Sequence, residues 1–183
     1  NFLTLSYAGV TVQEYREIKN CPSEFRLPQK IQNKLSAAYR LNTEQIMMQL
    51  ADRNITCMTI DDEDYPPLLK EIHDPPYILY LKGDRSLLNR PMFGIVGSRK
   101  ATRYTSEALA KIIPGLKNIC VVSGLAYGAD EIAHKLCLSY GISTIGILAF
   151  GHDVHYPKST YDIRARMEQT CLTISEYPPH SSI

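Results

Sequence analysis

The chain has 183 residues, 44% apolar and 21% charged, a globular composition that excludes a disordered chain and suffices for one core of ordinary size plus a smaller module. No run approaches the ~18 apolar residues of a membrane span, and the first residues lack a basic segment followed by an apolar core, so a cytoplasmic protein without a membrane span is expected. Net charge is +1, but residues 1–83 carry 9 basic against 11 acidic side chains and residues 84–183 carry 11 against 8, which favours the second part for any anion-binding face.

The chain opens on Asn1 and is expected to be a piece of a longer protein. Thr11 stands where an N-cap belongs, before Val12-Gln13-Glu14-Tyr15, so residues 2–19 read as helix, turn, helix. Pro28 opens a third helix through Ile31, Leu35 and Ala38, and Asn42 or Thr43 caps a fourth carrying Ile46, Met47 and Leu50. Residues 1–54 therefore form a small helical domain of the SAM or helix-hairpin kind, and residues 55–183 form a second domain.

Residues 55–90 change character. Asp61-Asp62-Glu63-Asp64 precedes Tyr65-Pro66-Pro67, and His73-Asp74-Pro75-Pro76 precedes Tyr77-Ile78-Leu79-Tyr80-Leu81. Prolines fix φ and hold the preceding residue extended, so this is a structured connector with a strand at 77–81 and a turn at Lys82-Gly83-Asp84. The acidic run reads as a solvated turn rather than a metal site.

From Phe93 a rhythm sets in. Buried-type strands start near Phe93, Ile119, Thr144 and Cys171, the spacing of strand-helix units with short connections. Ser106 is placed to cap a helix carrying Ala108, Leu109, Ile112 and Ile113, which Pro114-Gly115 ends. Ile132, Ala133, Leu136, Cys137 and Tyr140 share one face of the next helix, closed by Gly141. Cys21, Cys57, Cys120, Cys137 and Cys171 are odd in number, widely spaced and mostly set in apolar runs; no zinc knuckle or redox CxxC is present. The expected fold is α/β, a Rossmann-like, mainly parallel, doubly wound sheet preceded by the helical domain.

Ligands of such sheets sit at the carboxyl ends of the strands. That rule gathers Gly97-Ser98-Arg99, Ser123-Gly124, Phe150-Gly151-His152-Asp153 with His155-Tyr156-Pro157-Lys158, and Ser175-Glu176-Tyr177 on one rim. Turn N–H groups and a helix N-terminus beside a guanidinium make an anion site, and Tyr156 offers a flat face for a base. Two readings fit Arg99: a phosphate ligand, or an internal partner of Asp130 or Glu176. Gly124 and Gly128 equally suit a tight turn or a backbone that approaches a ligand closely. Asp130 and His134, four apart on one helix, suit an ordinary hydrogen bond better than a metal. Gly94-x-x-Gly97 lacks the dinucleotide spacing, and a Walker lysine, a G-x-S-x-G elbow and a catalytic cysteine setting are missing, so no catalytic residue, metal or cofactor is assigned.

Gly94-Ile-Val-Gly-Ser-Arg99, Val122-Ser-Gly-Leu-Ala-Tyr-Gly-Ala-Asp130 with Ala133-His134, Gly151-x-Asp153-x-x-Tyr156-Pro157 and Ile174-Ser-Glu-Tyr-Pro178 resemble, in order and spacing, the signature motifs of the DprA/Smf family of DNA-processing proteins of natural transformation. Asp64-Tyr-Pro66, Asp74-Pro-Pro76 and Lys82-Gly83 extend the likeness over residues 60–178. The resemblance implies sequence-independent binding of single-stranded DNA, protection of incoming DNA and loading of the RecA recombinase, without catalysis. It implies DNA contacts at Ser98, Arg99, Gly124, Tyr156 and Lys158, with Gly97, Ser123, Gly128, Asp130, Gly151, Asp153 and Glu176 as structural motif residues. Ala149-Phe150 replaces a usual glycine and is expected to tighten the pocket. The family's later Arg-Asn-Arg segment has no counterpart here, so an incomplete sheet is expected, and the homodimer of the full-length family is left open for this chain. The alternative from another class is a Rossmann-like nucleotide phosphoribohydrolase, whose Pro-Gly-Gly-x-Gly-Thr segment does not occur in this sequence.

Overall fold

The computed structural model describes residues 1–22 and 27–182; residues 23–26, inside the expected helical domain, and Ile183 lie outside the described residues. Two units, Asn1–Tyr80 and Leu81–Ile183, are each internally packed.

The first unit begins with four helices, α1 (Phe2–Tyr7), α2 (Val12–Asn20), α3 (Gln29–Arg40) and α4 (Thr43–Asp52). Their starts follow local chemistry. Thr11 and Glu14 form a reciprocal capping box at α2, Pro28 precedes α3, and the Asn42 side chain accepts from the Gln45 N–H at α4. Glu14 does more than cap. Burial works against its ionisation, yet hydrogen bonds from Lys34, the Thr11 N–H and Lys30 hold its pKa down at about 2, so one carboxylate joins α2 to α3.

A short strand, β1 (Thr56–Thr59), a single turn, α5 (Pro67–Lys70), and the start of β2 (Ile78–Gly83) complete this unit. Leu3, Ile46, Leu50 and Ile55 pack with Tyr77, Ile78 and Tyr80 in one core. Buried tyrosines need a partner for each hydroxyl, and they have one: Tyr77 donates to the Val10 carbonyl at 2.7 Å, Tyr80 to Ser6 Oγ at 2.8 Å, and Tyr65 to the Pro76 carbonyl at 2.6 Å. The Asp61–Asp64 run is exposed, and the Asp62 carboxylate accepts from the Thr59 N–H, as a solvated turn should.

The second unit holds the end of β2 and then β3 (Met92–Gly94), α6 (Arg103–Ile112), β4 (Cys120–Ser123), α7 (Ala129–Tyr140), β5 (Thr144–Leu148), α8 (Tyr161–Thr170) and β6 (Leu172–Ser175). Its strands run in the order β6-β5-β4-β3 and pair in parallel throughout, with Gly94 opposite Val122, Ser123 opposite Gly146 and Leu148 opposite Ser175. The Rossmann-like, mainly parallel sheet is thus the one read from the strand rhythm, but the double winding expected of it is not found among these four strands. Each new strand joins beside the last, so right-handed crossovers send these helices to one face, and α7 accordingly packs against both α6 and α8. Ile95, Leu109, Ile113, Val121, Ala133, Cys137 and Ile142 form the core between that layer and the sheet.

Two local readings change. Helix α6 starts at Arg103, because Thr102 and Thr105 form a capping box a turn earlier; Ser106 therefore lies inside the helix and not at its cap. Gly141 closes α7 as expected, in the left-handed conformation with φ +67°.

Candidate nucleic-acid interface

At the carboxyl ends of β4, β5 and β6 a cleft of about 440 Å³ opens. Arg99 enters it from the loop after β3. Gly124 to Tyr127 and Asp130 come from the turn between β4 and α7, Ile147 to Phe150 from the end of β5, Tyr156 and Pro157 from the following loop, and Glu176 and Tyr177 from beyond β6. The position is the one that parallel crossover geometry favours for a ligand.

Three of the five expected contact residues, Arg99, Gly124 and Tyr156, line this cleft together. Ser98 does not; its side chain accepts from the Lys100 N–H and its carbonyl from the Ala129 N–H, so it braces the loop instead. Lys158 is exposed just beyond the lining residue Pro157, at the start of a short 3-10 turn that Ser159 ties to Glu131.

The glycines bring the two turns into contact. A Cβ on Gly97 would meet that of Ala129, and one on Gly128, whose φ is +83°, would strike the Ser98 and Arg99 carbonyls. Gly124 lies against the Asp130 carboxylate, and Gly151 against the carbonyls of Pro178 and Pro179. Side-chain bonds add to this. Ser123 donates to the Ile95 carbonyl at 2.7 Å, joining the ends of β4 and β3, while Ser175 donates to the Phe150 carbonyl at 2.8 Å.

The same bonding revises the expected phosphate cradle. The Ala129 N–H goes to Ser98, the Glu131 N–H to the Ala126 carbonyl, and the Ala126 N–H to the Asp130 carboxylate at 3.4 Å. These three amides are spent inside the turns rather than aimed at one point, and Arg99 is the cationic side chain on the lining of the cleft. Among the described residues no carboxylate lies within ion-pair distance of Arg99, and Asp130 is committed to the turn. Glu176, an exposed residue of the same lining as Arg99, has its pKa raised above the usual value by partial desolvation.

Aromatic rings frame the mouth. Tyr127 and Tyr156 meet edge to face with centroids 6.2 Å apart, both partly exposed, and Tyr177, also partly exposed, lines the same cleft. Tyr127 has no role in the sequence reading; an aromatic three residues past the glycine that follows a strand is the signal that would have found it. Ala149 and Phe150 both line the cleft.

Two of the histidines are buried beneath the rim. His152 is buried, its Nε2 3.2 Å from Thr173 Oγ1; the Thr173 hydroxyl donates to the Lys82 carbonyl, so the ring nitrogen is the donor. His134 follows the same pattern through Thr144, whose hydroxyl donates to the Val121 carbonyl. Burial depresses both, His134 to about 4 and His152, with help from Arg164, to about 4. His155 lies against the Tyr161 ring, 4.9 Å between centroids.

Among the described residues no helix is long and apolar enough to cross a membrane, and no cluster of three or more His, Cys, Asp or Glu side chains is arranged to hold a metal. Comparison with known proteins gives the site its context. The chain is 39% identical over 122 residues to the DNA processing protein DprA of Streptococcus pneumoniae, covering 66% of this chain and 43% of that protein. It is 32% identical over 143 residues to DprA of Bacillus subtilis, covering 75% and 47%. It thus spans less than half the length of these curated relatives. An X-ray structure of DprA from Streptococcus pneumoniae superposes with a TM-score of 0.79 at 29% identity, over 98% of this chain and 67% of that one. A Helicobacter pylori DprA structure, described for its single-stranded DNA binding mode, gives 0.61 at 28% identity over 69% of this chain and 58% of that one. Residues 56–183 match the family model for DNA recombination-mediator protein A, and the chain belongs to that family.

Proposed function

We propose that this chain binds single-stranded DNA without sequence preference at the cleft of its second unit, one backbone phosphate meeting Arg99 and one base lying among Tyr156, Tyr127 and Tyr177. The observation that carries this reading is the placing of an exposed Arg99, without an ion pair among the described residues, beside partly exposed aromatic rings at the carboxyl ends of the strands. A cation that tracks a backbone and rings that accept any base are the ingredients of sequence-tolerant single-strand binding. Lys158, just outside the lining, extends the basic path, Ser98 and Gly124 shape the turns beneath it, and Gly97, Ser123, Gly128, Asp130, Gly151, Asp153 and Glu176 hold the rim. The relatives support the reading, since one of them is described for this kind of DNA binding.

The wider role follows the family: recombination mediation during natural transformation, in which the protein protects incoming DNA and helps load the RecA recombinase, in the cytoplasm and as a homodimer when full length. In this division of labour residues 1–54 supply the helices and residues 55–183, where the family match begins at Thr56, belong to the DNA-binding part. The helices do not stand apart, however: they share a core with Tyr77, Ile78 and Tyr80, and the first packed unit runs to Tyr80. The cleft acts by binding and not by catalysis. Titration of labelled oligo-dT by fluorescence anisotropy at two salt concentrations, with the parent chain and Arg99→Glu, tests the reading: the variant binds more weakly and with a flatter salt dependence, and identical titrations refute it.

A further inference from the structure

We propose that Arg164 is a positioning residue for this site: from inside the second unit it fixes the loop that carries Tyr156 and so presents that ring to the cleft. Arg164 lies on α8 with its side chain only 5% exposed. Its two terminal nitrogens donate to two loop carbonyls on either side of Asp153, Nη2 to His152 and Nη1 to Val154, each at 2.6 Å, while Nε donates to Glu168 Oε1 at 2.7 Å. The other carboxylate oxygen of Glu168 is held by Lys82 at 3.1 Å. An i,i+4 pair on one helix needs only the Arg164–Glu168 bond; the two bonds to loop carbonyls reach beyond the helix, and they fix the spacing and tilt of two peptide groups at once.

The rest of the loop is anchored around this fork. The Asp153 N–H donates to the Pro179 carbonyl and the Gly151 N–H to the Ser181 carbonyl, each at 2.8 Å. On the far side of Tyr156, the Pro157 carbonyl accepts from the Thr160 hydroxyl at 2.9 Å. Tyr156 thus stands between an anchor at Val154 and another at Pro157, on a stretch without helix or strand. A planar guanidinium serves both carbonyls in one geometry, whereas a lysine, with its single nitrogen on a flexible stem, does not.

The effect on binding rests on the single-stranded DNA reading, but the anchoring does not, and the two are separable. The sequence has no tryptophan, so Tyr156→Trp places a single fluorescent reporter on the loop of the whole chain. In that background Arg164→Lys, which keeps the charge and loses the fork, is expected to raise acrylamide quenching of the indole and to weaken oligo-dT binding about ten-fold, the scale on which supporting residues commonly act. Arg99→Ala weakens binding with quenching unchanged. A folded Arg164→Lys protein with the parent's quenching overturns the proposal. If the parent binds no oligonucleotide while Arg164→Lys still frees the indole, the DNA reading fails and the anchoring stands. If Arg164→Lys does not fold, nitrogen-15 spectra of the wild-type chain decide: one arginine with separate, slowly rotating Nη signals supports the fork, and averaged Nη signals for every arginine refute it.

Discussion

The ring of Tyr156 meets that of Tyr127 edge on at the mouth of the cleft, 6.2 Å between centroids and 83° between planes. Each ring braces the other while a face stays available. Stacking of a base on such a ring contributes about 1–3 kcal/mol. Tyr156→Ala is therefore expected to weaken oligo-dT binding by roughly five-fold to a hundred-fold or more, and Tyr156→Phe, which keeps the face, by little. Anisotropy titrations of the two variants side by side check this; equal losses would place the contribution in the hydroxyl.

The contact between the two turns is tested at Gly128. This glycine has φ +83° and no room for a Cβ against the Ser98 carbonyl, whereas Gly141 has φ +67° and open space around it. Gly141→Ala pays only the backbone strain, about 1 kcal/mol, and Gly128→Ala adds a clash that must move the Arg99 loop. Thermal denaturation is expected to rank Gly128→Ala well below Gly141→Ala, and the oligonucleotide titration to fall only for the first.

Glu176 makes binding pH-dependent. Its pKa lies above the ordinary carboxylate value because partial desolvation disfavours the charge. As pH rises through that raised value the carboxyl ionises on the lining it shares with Arg99 and adds a negative charge that disfavours a phosphate in the cleft. Affinity for oligo-dT is expected to fall across that range in the parent and to stay flatter in Glu176→Gln. Matching pH profiles for the two proteins would remove Glu176 from the site.

The buried histidines set an acid limit on stability. Burial holds both His134 and His152 down at about 4, below the ordinary 6.5, so between those values the unfolded chain binds more protons than the folded one. Stability from this source is intact above about 6.5 and is lost as pH falls toward 4. Denaturant midpoints measured from pH 7 to 4.5 should fall less steeply in a His134→Gln, His152→Gln variant than in the parent, whatever their absolute offset.

Much of this was legible in the chain itself, for physical reasons. A strand buried in a parallel sheet is a short apolar run that must end in a turn, so the runs near Ile119, Thr144 and Cys171 announce β4 to β6 within a residue or two; β3 begins near Phe93 as expected but is exposed along its length, at the end of the strand order. The rule that places ligands at strand carboxyl ends then brings Arg99, Gly124 and Tyr156 together. What escaped depends on side-chain direction or on short elements. β1 is four residues with one buried, and α5 is a single turn after Pro66, so neither leaves a periodic pattern. His152 turns inward because Thr173 offers it a partner from β6, a pairing between residues 21 apart that no local pattern reveals. Part of the expected phosphate cradle is revised for the same reason: the glycine-rich turns are visible in the sequence, but not that the Ala126 and Ala129 N–H groups are spent within them.

The central claim stands or falls on Arg99. Its exposure in the cleft without an ion pair among the described residues means that its removal should leave the fold intact and cost a phosphate contact. For the parent chain and Arg99→Glu, the affinity for oligo-dT is to be measured by anisotropy across a series of salt concentrations, with far-ultraviolet circular dichroism confirming that both are folded. The account predicts weaker binding for Arg99→Glu and a slope of log affinity against log salt shallower by about 0.7, the value of one single-strand phosphate. Equal affinity and equal slope in two folded proteins would contradict it.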